Sequence, residues 1–151
     1  MISEVCVDAN LAVKWYLFEE EREQATALLD DCDKAGIAII APDIILGEVG
    51  SSIRRAVHRE LITEERGRSC LMMLKRAPIR RFDVRDLFDR AWQIAHQYRL
   101  ATLYDACYIA LADIRGCDLW TGDKRLLNSV TGMPILRDLK SYTSGMLQTP
   151  D

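Results

Sequence analysis

Four runs of apolar residues, each only as long as a strand, punctuate this chain, and longer stretches with helical spacing separate them. They are Val5-Cys6-Val7, Ile37-Ala38-Ile39-Ile40, Leu119-Trp120 and Pro134-Ile135-Leu136. Neighbouring strand residues point to opposite faces, so runs without polar alternation predict strands buried on both sides. Between them, apolar residues recur at helical intervals over about 10–17, 20–34, 43–59, 63–76, 85–99 and 103–115. Gly36 is placed to stop the second of these helices, and Pro42 to open the third. Residues 103–115 are apolar nearly all round, which predicts a helix buried on most sides. Pro78-Ile79-Arg80-Arg81-Phe82 reads as a short edge strand, and the polar stretch from Ser141 as a fraying tail. Short apolar strands joined by helices predict βαβ crossovers, hence an α/β fold with a parallel sheet covered on both faces.

Four carboxylates stand beside or inside those apolar segments. Asp8 follows Val5-Cys6-Val7, and Asp123 follows Leu119-Trp120-Thr121-Gly122. Glu48 lies in Ile44-Ile45-Leu46-Gly47-Glu48-Val49, at the margin of the apolar arc beside Ser52. Asp105 opens the apolar stretch Ala106 to Leu111. Burying a lone carboxylate is unfavourable, and two of them ~4 Å apart repel by ~4 kcal/mol at an effective dielectric near 20. A divalent cation would hold several such groups together at least cost. Asp8 and Asp123 both fall just past the carboxyl end of an expected strand, where doubly wound sheets bind ligands.

Each acid also has a purely local explanation. Asp8 suits the cap of the helix beginning near Asn10, and Glu48 an ordinary exposed helix position. Thr102-x-x-Asp105 matches a capping box, and Asp123 after Gly122 suits a turn or a cap. Four separate local accounts are needed where one shared site accounts for all.

Composition narrows the chemistry further. A length of 151 residues suits one domain with its own core. Five cysteines form no C-x-x-C pair and there are only two histidines, so a thiolate or imidazole metal site is not expected and the cysteines read as reduced packing residues. The start carries acids early and no basic n-region, and no apolar run approaches a membrane span, which points to the cytoplasm. The net charge of −3 neither indicates nor excludes a polyanionic partner, since without the four acids the remaining balance is +1.

The segments Val7-Asp8-Ala9-Asn10, Pro42-Asp43-Ile44-Ile45-Leu46-Gly47-Glu48, Leu103-Tyr104-Asp105-Ala106 and Thr121-Gly122-Asp123-Lys124-Arg125-Leu126 resemble the PIN domain, closest to VapC-type toxins. The resemblance runs from residue 3 to about 140, and its specificity lies in four motifs in this order and spacing. It implies a three-layer α/β/α nuclease over residues 1–140, with 141–151 as a flexible tail, and a parallel sheet of four to five strands in the order 3-2-1-4-5. It also implies an endoribonuclease using magnesium, or manganese in its place, with Asp8, Glu48, Asp105 and Asp123 as catalytic, metal-holding acids. Asn10 stands where the family often has Ser or Thr and would support Asp8 or a metal water. Homodimerisation and a VapB-type antitoxin are further implications.

Within that reading Asp8 and Asp105 are the most direct ligands, and Glu48 and Asp123 bind directly or through water. Magnesium takes oxygen donors and acidifies a water that attacks the phosphorus in line. Lys14, Lys124 and Arg125 are candidates for holding the RNA backbone. Two alternatives stay open. Asp8-Ala9-Asn10-Leu11 faintly resembles a haloacid-dehalogenase-like phosphatase motif, though Asn10 replaces the second Asp which that chemistry needs. A non-catalytic protein-binding module, with the acids serving as caps, is the other.

Overall fold

The computed structural model describes residues 1–148. Strand β1 (Glu4–Val7) leads into the short helix α1 (Ala9–Val13) and then α2 (Arg22–Ala35). Strand β2 (Ala38–Pro42) is followed by α3 (Ile45–His58), α4 (Glu64–Lys75) and strand β3 (Ile79–Phe82). A 3-10 turn at Val84–Leu87 runs into α5 (Phe88–Tyr98), then α6 (Tyr104–Arg115) and strand β4 (Leu119–Thr121). Helix α7 (Lys124–Ser129), strand β5 (Leu136–Asp138) and a 3-10 turn at Leu139–Ser141 complete the chain.

All five strands are parallel and lie in the order β3-β2-β1-β4-β5, as the resemblance implies. Every residue of Val5-Cys6-Val7 and of Leu119-Trp120-Thr121 is buried. Because consecutive strand residues face opposite ways, both faces of the sheet are covered, as expected from the unbroken apolar runs. Helix α6 is buried at every position from Ala106 to Ala112, which matches its all-round apolar pattern. β3 is indeed an edge strand, and its exposed Arg80 and Arg81 guard it against further pairing. Gly36 ends α2 at φ +67°, a left-handed turn that a side chain would strain.

Several boundaries differ from those expected. Pro42 closes β2 instead of opening a helix, and α3 begins at Ile45. The pairing of β2 with β1 stops at Ile40, so the missing Pro42 N–H removes no bond on that side. The Asp43 N–H then donates to the Phe82 carbonyl at 2.8 Å and carries the β3 ladder one residue further. Helix α7 has no periodic signal in six residues; it forms because Asp123 caps it.

The segment after Ser141 does not fray over 142–147. Tyr142 and Leu147 are buried, and Tyr142 packs edge-on against Trp120 with ring centroids 5.1 Å apart. The Tyr142 hydroxyl and the Gly145 N–H, the latter at 2.7 Å, both donate to the buried Asp31 carboxylate. A polar composition hid two apolar anchors and a distant acceptor. Residues 149–151 of the expected tail lie outside the described residues.

Candidate active site

The sheet order makes β1 and β4 the strands between which the topology reverses, the place beyond whose carboxyl ends such sheets bind ligands. Asp8 is the first residue past β1, and Asp123 the second past β4. Both serve as helix caps, as their local readings expected. Asp8 Oδ1 accepts from the Leu11 N–H at 2.9 Å, and Asp123 Oδ1 accepts from the N–H groups of Arg125 and Leu126 at 3.0 and 3.3 Å. Capping therefore does not compete with a shared site. It fixes where each carboxylate points.

Thr121 joins the two acids, a role the sequence reading missed. Its hydroxyl donates to Asp8 Oδ2 and accepts from the Asp123 N–H at 2.9 Å. Thr121 is fully buried at the end of β4, and a polar residue in that position is the signal that was available.

Glu48 enters from the first turn of α3, and the Tyr108 hydroxyl of α6 donates to its Oε1 at 2.9 Å. Asp105 lies in the first turn of α6, one turn ahead of Tyr108. The capping box expected at Thr102 is not formed: Leu103 holds the cap position and no side chain bonds there. That leaves Asp105 without the local role that would have explained it.

The charges of these acids act on one another. Burial pushes the Asp8 carboxyl up to about 7, the Thr121 and Leu11 hydrogen bonds oppose that rise, and the charges of Asp105 and Asp123 add to it. Burial also raises Glu48, against the Tyr108 hydrogen bond and with the Asp105 charge. Asp105 is raised by burial and by the Asp123 charge, while Arg125 pulls it down. Asp105 thus stands within electrostatic reach of the other three. Among the described residues, however, no three acidic, histidine or cysteine groups already enclose a common point.

These donors suit a hard divalent cation. Every candidate ligand is oxygen, and Asn10 Oδ1, in α1 just past the Asp8 cap, is buried with no hydrogen-bond partner among the described residues. Gly122 permits this crowding: a Cβ there would stand 2.7 Å from Asn10 Oδ1 and 3.0 Å from both Glu21 Oε2 and Lys14 Cε.

The three basic candidates divide. Lys14 is buried and paired with Glu19 at 3.3 Å, and Lys124 pairs with Glu21 at 2.8 Å and Asp138 at 3.0 Å. Arg125 is exposed, forms no ion pair among the described residues, and acts on Asp105.

A family model described as "PIN domain" matches residues 5–131. The chain belongs to the PIN-domain family. It is 30% identical over 122 residues to "VapC ribonuclease Mb0985" of Mycobacterium bovis, covering 81% of this chain and 87% of that one. It is 38% identical over 95 residues to "Ribonuclease VapC1" of Mycobacterium tuberculosis, covering 62% and 68%. Its fold is similar to a chain of a "Toxin-antitoxin complex from Klebsiella pneumoniae", with a TM-score of 0.56, 19% identity and coverage of 89% and 97%. Family membership sets aside the phosphatase alternative.

Proposed function

We propose that this chain is a magnesium-dependent endoribonuclease, with manganese able to substitute, and the toxin of a toxin–antitoxin pair. The observation that carries the reading is the site at the sheet's reversal point, where Thr121 ties Asp8 to Asp123 and the charge of Asp105 reaches all of the other acids. Two relatives whose names say ribonuclease support RNA as substrate, and the structural neighbour from a toxin–antitoxin complex supports a VapB-type antitoxin. A homodimer and a cytoplasmic setting complete the proposal. No helix of the described residues is long and apolar enough to cross a membrane.

In this mechanism Asp8 and Asp105 would hold the cation, with Glu48 and Asp123 supplying further oxygen donors directly or through water. A bound magnesium supplies an acidified water and positive charge opposite the oxygens that gain charge at phosphorus. Thr121 and the Leu11 N–H hold the two oxygens of Asp8 in a fixed orientation, and Tyr108 does the same for Glu48. Glu48 or Asp123 would orient the attacking water and accept its proton. Arg125, at the mouth, stabilises the phosphate charge.

The test is cleavage of an RNA pool by the purified chain in magnesium, in EDTA, and with Asp105→Asn. Cleavage only by the parent with magnesium is expected. Equal cleavage by Asp105→Asn, or in EDTA, overturns the assignment.

A further inference from the structure

Next to the acids lies an open cleft of about 470 Å3 whose walls include Asn10, Glu19, Glu48, Ser52, Arg55 and Tyr104. Glu48, Ser52 and Arg55 follow one another along one face of α3, at intervals of four and three residues. Arg55 is therefore about 10 Å along the helix from the catalytic acid. Its Nη2 donates to Ser52 Oγ at 3.3 Å, and Ser52 Oγ in turn donates to the Glu48 carbonyl at 3.1 Å. No carboxylate pairs with Arg55 among the described residues. Among the described residues that line the cleft Arg55 is the one basic side chain, and with no carboxylate on it the guanidinium is open to a phosphate. A guanidinium there can meet phosphate oxygens in pairs. Tyr104, which is 60% exposed, stands in the same wall immediately before Asp105.

We propose that Arg55 and Tyr104 position the RNA in this cleft, Arg55 gripping a backbone phosphate beside the cut and Tyr104 stacking on an adjacent unpaired base. The proposal rests on the ribonuclease reading above and assigns two positioning residues to it. A paired A-form helix keeps its bases stacked inside and offers none to Tyr104. Stacking of one base on an aromatic ring is worth roughly ten-fold or more in affinity.

The experiment measures cleavage of one short RNA, single-stranded and as its duplex, by the parent and by Arg55 and Tyr104 variants with magnesium. The oligonucleotide carries 2-aminopurine beside the cut. Arg55→Ala is expected to raise KM about ten-fold with kcat within about two-fold, and to flatten the slope of log affinity on log salt by about 0.7, one single-strand phosphate. Arg55→Lys restores the slope. Tyr104→Ala raises KM and abolishes the quenching of 2-aminopurine on binding, and Tyr104→Phe restores both. Arg54→Ala removes the same charge from the next position of α3, outside this cleft, and leaves KM and slope at parental values. Parental KM and salt slope in both alanine variants, while the parent cleaves, overturn the cleft assignment alone. Equal cleavage of the duplex also overturns it. A parent that cuts neither form removes the ribonuclease reading and this cleft with it.

Discussion

Replacing Asp8 with Asn should inactivate the protein and make it more stable. Asp8 is buried, and its carboxyl is held near 7 where an unburied one titrates at 3.8. The folded state therefore binds a proton more tightly than the unfolded state, and stability falls as pH rises from about 4 to about 7. Each pH unit of separation is worth about 1.4 kcal/mol, so above pH 7 the ionised Asp8 costs the metal-free fold about 4 kcal/mol at most. The carboxamide of the Asp8→Asn variant keeps an acceptor for the Leu11 N–H and can donate to the Thr121 oxygen, so the geometry survives while the charge goes. Thermal unfolding in EDTA at pH 8 should show Asp8→Asn melting about 5–10 °C above the parent, given 2–4 °C per kcal/mol for a chain of this size. At pH 5 the parent's Asp8 is already protonated in the fold, so the advantage should shrink to less than half. An equal advantage at both pH values, or none at pH 8, would refute the claim that a buried, ionised carboxylate stores this energy.

Other perturbations test the surrounding supports. Gly122→Ala puts a methyl 2.7 Å from Asn10 Oδ1, the end of a side chain that can turn aside, so it should cost about 1 kcal/mol or less in denaturant titration while lowering RNA cleavage by displacing Asn10. Tyr108→Phe removes the hydrogen bond that favours ionised Glu48, so the acid limb of the cleavage pH profile should move to higher pH. An unmoved limb would remove Glu48 from the titrating machinery. Asp31→Ala leaves the Tyr142 hydroxyl and the Gly145 N–H without their acceptor and should cost about 1–3 kcal/mol by denaturant midpoint, with metal affinity unchanged.

The fold was legible because its signals are local and redundant. Unbroken apolar triplets such as Val5-Cys6-Val7 can only be strands covered on both sides, and α6 could only be a buried helix. The sheet order came from the likeness of four motifs, not from periodicity, which carries no order. Asp8 and Asp123 stood out as candidates because a charge just past an apolar strand has few uses. Thr121 and Tyr108 were not, since each acts through a partner 113 or 60 residues away and neither carries a formal charge. The ion pairs of Lys14 and Lys124 were hidden for the same reason: a sequence shows a cation but not the Glu19, Glu21 or Asp138 beside it. Pro42 and Tyr142 show the limit at element ends, where pairing partners decide and composition does not.

The account stands on four acids from four separate elements serving one cation. Calorimetric titration of the parent and of Asp8→Asn, Glu48→Gln, Asp105→Asn and Asp123→Asn with manganese at pH 7.5 tests that directly. Saturable binding by the parent, weakened at least about ten-fold in Asp8→Asn and Asp105→Asn and less in the other two, is the predicted result. No saturable binding by the parent, or parental affinity in all four variants, would contradict it.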